Sequence, residues 1–476
     1  MDAHAIGVLG ISGDELMRRA ARAALDELRH RWPEARRIAV VCGPGNNGGD
    51  GFLLAAGARE AGLDVYVLAL TPESRGDAAH ARAAFVDAGG RIETMGGMAG
   101  LERADVIVDA LFGSGLSRPL HGTAADVVAQ INAGGRPVLA LDIPSGLDSD
   151  TGHAAGAAVR AAATTSFVAW KRGLFTAAAP EYCGALSLHT LGLPAEVAAT
   201  QVPAAQLLSG MSSPRRERTA HKGRYGHVLV VGGDHGMGGA ARLAAEAALR
   251  VGAGLTSVAT RAEHVGGLLA ARPELMVHAI ASPDELGRAM ERASVVALGP
   301  GLGTGDWGRA LWRAGVDCAL PLVLDADGLN LLAAEPRAFA DRKVVLTPHP
   351  GEAARLLGCD TKAVQADRFA AAQRLARRHH AVVVLKGAGS VVAAPDGKLA
   401  VCRDGNPGMA SGGMGDTLTG IIAGLLAQQR SAWQAACRGT WLHARAGDIA
   451  ARNGERGLLA SDLFTPLRRL ANGLDD

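Results

Sequence analysis

The 476-residue sequence lacks several features that would assign it to a class at once. It has no run of about 18 apolar residues, so we expect no transmembrane helix, and its longest apolar stretch, residues 418–427, is typical of a buried helix. The N-terminus lacks the charged-then-apolar pattern of a signal peptide. The net charge is only +2, which gives no general electrostatic reason to bind nucleic acid or an acidic membrane. These absences predict a cytoplasmic protein with neither a nucleic-acid nor a membrane partner.

Cysteine and lysine are also scarce. The six cysteines lie far apart, form no C-x-x-C motif and have no nearby partners at zinc-ligand spacing. We therefore expect reduced, buried thiols in a reducing compartment. Six lysines stand beside 43 arginines. We interpret this bias as a coding preference and treat scattered arginines as solvated surface.

The organisation of the chain predicts an α/β protein with two domains. A length of 476 residues favours two to three domains, and an apolar content of 48% allows large cores. Short β-rich runs alternate with helical stretches, which indicates parallel sheets covered on both faces. A stretch rich in Pro, Ser and charge, at residues 210–218, predicts a linker. The strands are expected at residues 38–42, 65–70, 106–110, 138–142 and 165–170 before the linker, and at 227–231, 255–259, 295–298, 322–324, 344–346 and 382–385 after it.

The first strand is followed by CGPGNNGGDG, in which Gly43, Gly45 and Gly48 match the dinucleotide pattern G-x-G-x-x-G. The rest of that fingerprint is missing. A dinucleotide site places an acid at the end of the second strand, but Glu73 falls later than this rule requires. At the position of Asn46 the fingerprint contacts its ligand through the backbone alone, but here the residue carries a polar side chain. The motif therefore favours a different kind of site.

Three polar loops follow predicted strands at the carboxyl edge of the first sheet: NNGGDG, DALFGSGLSRP and DIPSGLDSDTG. Ligands of open α/β sheets bind at this edge, so three such loops predict a pocket. Alternatives exist for single residues: Asp50 could cap a helix at Phe52, and Asp148 and Asp150 could be ordinary turn acids. No predicted helix begins directly after Asp142, so a capping role does not explain this residue.

These loops resemble the NAD(P)H-hydrate epimerase domain, over roughly residues 1–210. The resemblance implies a Rossmann-like three-layer fold and racemisation of the hydrated, damaged forms of NADH and NADPH (NADHX and NADPHX). It implies that Asp142 is the acid/base residue and that potassium lies among oxygens of Asn47, Asp109 and Ser145. The family commonly has Thr where Ser114 stands, and the hydroxyl is kept. The implied contacts of the damaged nucleotide are Asn46, Asn47, Gly48, Gly49, Asp50, Gly113, Ser114, Gly115, Leu116, Ser117, Arg118, Pro119 and Asp142.

The second half carries LGPGLG, LTPHPGE, KGAGS and SGGMGD, and no P-loop motif. Apolar residues at helical spacing predict a buried helix from near Asp416, with Gly412, Gly413 and Gly415 at its N-terminus. Backbone N–H groups there bind anions, and an aspartate beside them suits a base that takes a proton from an attacking hydroxyl. The alternatives are a plain N-cap for Asp416 and a buried, hydrogen-bonded histidine for His349.

The four motifs resemble ribokinase-like folds, and more narrowly the NAD(P)H-hydrate dehydratase domain, over residues 215–472. The resemblance implies that ADP, or ATP in some members, phosphorylates the hydrate, and that loss of phosphate regenerates NAD(P)H. We expect ADP to be the phosphoryl donor, magnesium to bind with it and Asp416 to act as the base. Ser390 stands where Thr is usual. The hydrate is expected at Ala253, Gly303, His349 and Asp416, and the AMP moiety at Lys386, Gly387, Ala388, Gly389, Ser390 and Gly415.

The sequence thus predicts a fused repair enzyme whose first domain epimerises R and S hydrates and whose second consumes the S form. Its expected partners are the hydrates and ADP, and the expected assembly is a homo-oligomer. One alternative is a ribokinase-like vitamin or sugar kinase with a regulatory first domain. Another is a nucleotide-binding scaffold, which would have eroded polar loops.

Overall fold

The computed structural model describes residues 6–94, 99–116, 118–210, 216–340 and 342–474. The chain forms two compact units, Met1–Ala204 and Ala205–Asp476. This division precedes the predicted linker at residues 210–218, because a strand at Gln206–Leu208 pairs with the sheet of the second unit. Ser117, a predicted contact of the damaged nucleotide, lies outside the described residues.

The first unit is built on a parallel sheet of seven strands in the order β3-β2-β1-β4-β5-β6-β7. The order reverses between β1 and β4, which are neighbours, so the loops after these two strands meet at one edge. Apolar runs such as VVC and VIVDA are buried on both faces, as parallel strands require. The strands are β1 (Arg37–Cys42), β2 (Asp64–Ala69), β3 (Ile92–Thr94), β4 (Val106–Ala110), β5 (Val138–Leu141), β6 (Ala163–Phe167) and β7 (Ala185–His189).

Helices cover the first sheet and close its core. The amphipathic helix α1 buries Leu16, Ala20, Ala24 and Leu28, and Ser12 caps its N-terminus by accepting from the N–H of Glu15. The helices are α1 (Gly13–Arg31), α2 (Asn46–Glu60), α3 (Asp77–Asp87), α4 (Ala99–Arg103), α5 (Thr123–Ala133), α6 (Ala179–Tyr182) and α7 (Ala195–Ala199).

The second unit contains a sheet of ten strands in the order β11-β10-β9-β12-β13-β14-β15-β16-β17-β8. Pairing is parallel from β11 to β15 and antiparallel between β15, β16 and β17. The strands are β8 (Gln206–Leu208), β9 (His227–Val231), β10 (Leu255–Thr260), β11 (Met276–Ala279), β12 (Val295–Leu298), β13 (Leu322–Leu324), β14 (Val344–Leu346), β15 (Val382–Leu385), β16 (Ser390–Ala393) and β17 (Leu399–Cys402).

A buried helix, α16, forms the centre of the second unit, and every residue from Thr417 to Ala427 within it is buried. It runs alongside α8, and Gly420 and Gly424 allow the two backbones to approach, because a Cβ at either position would meet the α8 backbone. The helices are α8 (Gly238–Arg250), α9 (Val265–Ala271), α10 (Pro283–Met290), α11 (Asp306–Asp317), α12 (Asp327–Ala334), α13 (Pro350–Leu357), α14 (Thr361–Ala366), α15 (Arg368–His379), α16 (Met414–Ala427), α17 (Ala432–Ala450) and α18 (Phe464–Ala471).

The α/β fold class is confirmed, and most predicted strands lie within a residue of the observed ones. The predicted strand at residues 165–170 is displaced, since β6 ends at Phe167 and positive φ at Val168 stops the pairing. All six cysteines are free; four are buried, as expected, whereas Cys318 and Cys359 are half-buried. Among the described residues, no helix is both long and apolar enough to cross a lipid bilayer.

Candidate active sites

The carboxyl edge of the first sheet forms a cavity of about 780 Å³. Its wall includes the start of α2, the loop after β4, Asp142 after β5 and the segment after β6. Predicted contacts that line it are Asn46, Asn47, Asp50, Gly113, Ser114, Gly115, Leu116, Arg118 and Asp142. A volume in this range is typical of a small-molecule site.

Asp142 is held in a left-handed backbone conformation, with φ of 64°, directly after β5. Non-glycine residues in this region are concentrated at functional sites. One carboxylate oxygen accepts the backbone N–H of Ser114 at 3.0 Å. The other accepts a very short hydrogen bond from the Lys171 ammonium. The same ammonium donates to Ser166 Oγ at 3.1 Å and to the Phe167 carbonyl at 2.9 Å, so Asp142 belongs to a fully connected polar network.

Asp109 and Ser145 form a buried pair, each with no exposed surface. Ser145 Oγ donates to Asp109 Oδ1 at 2.6 Å, and its backbone N–H donates to Oδ2 at 2.8 Å. The N–H of Phe112 donates to Ser145 Oγ at 2.8 Å, which ties the pair to the loop after β4. Burial raises the pKa of Asp109 to about 6, because the charged form loses water and these hydrogen bonds only partly compensate.

Asn47 lies at the start of α2 and is only 9% exposed. Neither its amide oxygen nor its amide nitrogen has a hydrogen-bond partner within the described part of the chain. A Cβ at Gly113 would lie 3.3 Å from Asn47 Oδ1 and 3.0 Å from Asp142 Oδ2, so the glycine allows both side chains to approach the loop. Unpaired buried amides are costly, which leaves Asn47 suited to a ligand.

Gly48 and Gly49 of NNGGDG have a packing role in the fold, beside their predicted contact with the substrate. The motif is helical, since α2 begins at Asn46. A Cβ at Gly48 would lie 1.9 Å from the Gly43 carbonyl oxygen, and one at Gly49 would lie 2.5 Å from Met17 Sδ. Gly48, Gly49 and Pro119 are absent from the cavity wall. Asp50 lies within α2 and does not cap a helix at Phe52.

Asp148 is a turn residue, as one interpretation predicted. Its Oδ1 accepts from the backbone of Asp150 at 3.0 Å and of Thr151 at 2.8 Å. Such hydrogen bonds are characteristic of an Asx turn. The acids of DSDTG therefore stabilise the loop after Asp142.

The second unit brings its polar motifs together at the carboxyl ends of β12, β13, β14 and β15. Gly303 follows β12, and its N–H donates to Asp327 Oδ2 at 2.9 Å. Asp325, His349 and Lys386 come just after β13, β14 and β15. Ala253 is the exception among the predicted hydrate contacts. It is buried just after α8 and before β10, at the opposite edge of the sheet, so the structure does not bring it to Asp416.

The ammonium of Lys386 lies between the carboxylates of Asp325 and Glu352. Its nitrogen lies 2.6 Å from Asp325 Oδ1 and 3.8 Å from Glu352 Oε2. Burial acts to lower the pKa of Lys386, but these two carboxylates outweigh burial and raise it. Burial likewise acts to raise the pKa of Asp325, while Lys386 and the hydroxyl of Thr419, at 2.7 Å, hold it below its usual range. The ion pair is therefore charged on both sides.

Asp416 is the third residue of α16, and Gly413, with φ of 88°, is the N-cap. The plain N-cap interpretation is therefore wrong. Burial and the neighbouring charge of Asp325 raise the pKa of Asp416 to about 7, against the opposing effect of Lys386. A carboxylate with a pKa near neutrality is suited to accept a proton.

His349 is the N-cap of α13, and its side chain is 55% exposed, so the alternative of a buried histidine is wrong. Its Nδ1 accepts the N–H of Gly351 at 3.0 Å, which leaves the proton of the neutral ring on Nε2. Burial of part of the ring and the charge of Lys386 lower the pKa of His349. The ring therefore presents a hydrogen-bond donor at the site.

The KGAGS loop bends sharply after β15. Gly387 and Gly389 have φ of 135° and 64°. Ser390 Oγ donates to the Gly387 carbonyl at 3.1 Å. The buried Arg368 donates to the carbonyls of Leu385 and Lys386, each at 3.1 Å, and so fixes the start of the loop. A Cβ at Gly415 would lie 3.3 Å from Lys386 Nζ, which places the loop against the N-terminus of α16.

Comparison with known proteins finds relatives of both units. The family of NAD(P)H-hydrate dehydratases matches residues 228–469, and the family described as YjeF-related protein N-terminus matches residues 13–173. The bifunctional NAD(P)H-hydrate repair enzyme Nnr of Coxiella burnetii is 49% identical over 97% of this chain and 96% of its own. That of Escherichia coli is 46% identical over 98% of this chain and 91% of its own.

The chain belongs to the bifunctional NAD(P)H-hydrate repair enzymes. It is an enzyme with an epimerase unit followed by a dehydratase unit. The ADP/ATP-dependent NAD(P)H-hydrate dehydratase of Bacillus subtilis, co-crystallised with ATP and Mg²⁺, is 30% identical and covers 56% of this chain and 95% of its own, with a TM-score of 0.50. A ribokinase-like protein of Enterococcus faecalis, 29% identical, covers 57% of this chain and 96% of its own, with a TM-score of 0.52. The dehydratase unit is thus ribokinase-like, and the vitamin or sugar kinase alternative is not supported.

Several polar residues of this repair enzyme's sites escaped the sequence interpretation. Lys171 pairs with Asp142, and Asp325 and Glu352 surround Lys386. One signal was present in the sequence. Lysine is rare here, with six residues against 43 arginines, and two of the six lie against carboxylates of the two sites. Because the excess of arginine over lysine was attributed to coding preference alone, Lys171 and Lys386 were not predicted to pair with these carboxylates.

Proposed function

We propose that the epimerase unit interconverts R and S hydrates and that the dehydratase unit converts the S hydrate to NAD(P)H with ADP, releasing AMP and phosphate. The observation that carries the proposal is the environment of Asp416. It combines a carboxylate whose pKa is raised to about 7, a helix N-terminus and a charged lysine at one sheet edge. This combination fits a base beside a transferring phosphoryl group.

In the epimerase cavity, Asp142 is proposed to act as the acid/base residue at the hydrated ring carbon. It would move the hydroxyl proton to the ring nitrogen as the carbon–nitrogen bond opens, and return it as the ring closes on the opposite face. Lys171 and the Ser114 N–H fix the direction of its carboxylate, because each holds one oxygen. Lys171 is therefore a positioning residue. Asn46, Asp50 and the loop of Gly113, Ser114, Gly115, Leu116 and Arg118 are proposed to border the nucleotide, since all line the cavity.

A potassium ion is proposed to bind near Asn47, Asp109 and Ser145. The residues fit such an ion, because the buried Asn47 amide oxygen lacks a partner and all three offer hard oxygen ligands. When bound, the ion would supply a positive charge beside Asn47 at the wall of the cavity. Epimerase assays in potassium, sodium and choline chloride test this proposal. Asn47→Ala should remove any preference for potassium, and equal rates in all three salts for the unaltered protein would contradict the proposal.

In the dehydratase site, ionised Asp416 is proposed to take the proton of the hydrate's hydroxyl, whose oxygen then attacks the β-phosphorus of ADP. AMP leaves as the bond between the β-phosphorus and its bridging oxygen to AMP breaks. The bond from carbon to the new phosphate then breaks, the adjacent carbon loses a proton, and the reduced nicotinamide is restored. Lys386 and the N–H groups at the start of α16 offset the negative charge that develops on the phosphoryl oxygens.

Nucleotide binding is assigned to Lys386, Gly387, Ala388, Gly389, Ser390 and Gly415, and hydrate binding to Gly303, His349 and Asp416. Magnesium is proposed to enter with ADP. Asp325 and Asp327 follow β13 at this edge of the sheet, and their carboxylates would add hard oxygen ligands to those of the ADP phosphates. When bound, the ion neutralises phosphate charge. We further propose a cytoplasmic homo-oligomer, which light scattering of the purified protein would test.

The deciding assay incubates the full-length protein with the S hydrate of NADH and ADP and follows the absorbance of reduced nicotinamide. Recovery with ADP and none in its absence is expected. No recovery with either ADP or ATP would refute the dehydratase proposal. ATP in place of ADP tests the nucleotide preference.

Two substitutions separate the units. Asp416→Ala should abolish repair of both epimers, because only the dehydratase regenerates NADH. Asp142→Ala should preserve S repair and slow R repair to the rate of uncatalysed epimerisation. Equal loss on both epimers in Asp142→Ala would contradict separate sites.

A further inference from the structure

The dehydratase unit contains a cavity of about 1130 Å³ that neither proposed activity uses. It is larger than the cavity of about 780 Å³ in the epimerase unit. Seven of its eighteen lining residues are arginines, against 43 of 476 in the whole chain. Three glutamates also line it, which leaves a surplus of four positive charges. Such an enrichment exceeds the general arginine bias of the sequence.

This cavity lies at the opposite end of α16 from Asp416. Gln428, Gln429 and Arg430 line it and directly follow the last residue of α16. Asp416 and Gln428 are twelve positions apart, and a rise of 1.5 Å per residue separates them by about 18 Å. A ligand in the cavity would therefore leave the proposed ADP site open.

Some of the arginines are neutralised by carboxylates of the cavity wall. Glu246, which is 1% exposed, lies 3.1 Å from Arg250 and also accepts a very short hydrogen bond from Arg272. Arg224 lies 2.7 Å from Glu217. These pairs account for only part of the positive charge.

Three other arginines, Arg218, Arg430 and Arg468, make no ion pair within the part of the chain that the structure describes. The Nε atoms of Arg430 and Arg272 are buried and lack hydrogen-bond partners there. A buried donor without a partner is destabilising, because it has lost its hydrogen bonds to water. An anion that accepted these hydrogen bonds would remove that destabilisation.

We propose that this cavity binds an anion carrying two or more linked phosphate groups. Guanidinium groups bind phosphate oxygens through paired, planar hydrogen bonds, which explains why arginines line the wall. A surplus of four charges matches a phosphate chain better than a single phosphate. The chain could come from free polyphosphate or from a nucleoside triphosphate.

The test is isothermal titration of the full-length protein with tripolyphosphate, with AMP present to fill the proposed nucleotide site. The cavity variant R218Q/R430Q/R468Q should bind at least 10-fold more weakly than the unaltered protein. The control R288Q/R377Q alters two exposed arginines of the same unit that do not line the cavity, and it should bind normally.

Binding that is undetectable in the unaltered protein, or equal in the cavity variant, would overturn the proposal. If the triple variant fails to fold, R218Q/R468Q changes only exposed side chains and should still weaken binding at least threefold. ATP is titrated into both the unaltered protein and the cavity variant, so that the binding lost in the variant is assigned to the cavity. If that binding is no tighter than the binding of tripolyphosphate, the cavity is a site for the phosphate chain, and if it is tighter, the cavity is a nucleotide site. Asp416 is unchanged in every variant, so this comparison does not depend on the proposed function.

Discussion

Replacing Asp416 by Asn should abolish dehydration and at the same time stabilise the dehydratase unit. Burial and Asp325 raise the pKa of Asp416 from an ordinary value of 3.8 to about 7. The folded protein therefore holds this proton more tightly than the unfolded chain does. The contribution of Asp416 to stability is greatest below pH 4 and is lost as the pH rises through 7, because folding then requires its carboxylate to be charged in an unfavourable place.

The size of the gain follows from the pKa difference. One pKa unit corresponds to about 1.4 kcal/mol, so a shift from 3.8 to about 7 sets an upper limit of about 4 kcal/mol. Asp416 is half-buried, and water screens part of the effect. We therefore expect Asp416→Asn to raise the free energy of unfolding by about 1 to 3 kcal/mol at pH 8.5. For a unit of this size, that gain corresponds to a rise of about 3 to 8 °C in Tm.

Thermal unfolding followed by tryptophan fluorescence can measure this gain, because four of the six tryptophans lie in the dehydratase unit. The matched control is Asp396→Asn. Asp396 is exposed, and its pairing with Lys398 at 2.6 Å holds its pKa below the usual range. The control should show no gain in Tm and should retain activity.

The difference between Asp416→Asn and the unaltered protein should shrink as the pH falls from 8.5 to 5. A variant that is less stable at pH 8.5, or a difference independent of pH, would refute the reasoning. Loss of a general base typically costs a factor of about 100 to 10,000 in rate, and NADH recovery should fall by at least that lower factor.

Three further results are expected. The kcat/KM of the unaltered dehydratase should rise with pH through about 7 as Asp416 ionises, and a flat profile from pH 5.5 to 8.5 would exclude it as the base. Lys171→Gln should slow R-hydrate repair by about 10-fold or more while S-hydrate repair is unchanged, since the lysine only holds Asp142. Gly48→Ala should destabilise the epimerase unit by about 1 to 3 kcal/mol in calorimetry. Its control, Gly45→Ala, places the new methyl in open space and should change stability far less.

The strands of both sheets were predictable because buried parallel strands appear as uninterrupted apolar runs. Val295–Leu298 and Val344–Leu346 were found with their observed bounds. The edge strand Met276–Ala279 was missed because it is mostly exposed and carries no such run. Edge strands therefore lack the signal that reveals central ones.

The start of α2 was missed for a different reason. Three glycines in NNGGDG predict a loop from intrinsic propensity, because each glycine in a helix costs up to about 1 kcal/mol. Tertiary packing reverses this preference. Only glycine at positions 48, 49 and 51 lets the helix approach Gly43, Met17 and Ala110. Such contacts come from distant parts of the chain, so local sequence does not reveal them.

The two lysines show why the two aspartates proposed to be catalytic were easier to recognise than the residues that hold them. Asp142 and Asp416 follow local motifs, whereas Lys171 and Lys386 are defined by partners 29 and 61 positions away. A compact ammonium can donate in three directions, and Lys171 does so toward Asp142, Ser166 and Phe167. The planar fork of arginine is not suited to three acceptors arranged around one point. Lysine persists at these positions in an arginine-rich chain because their geometry requires a point charge.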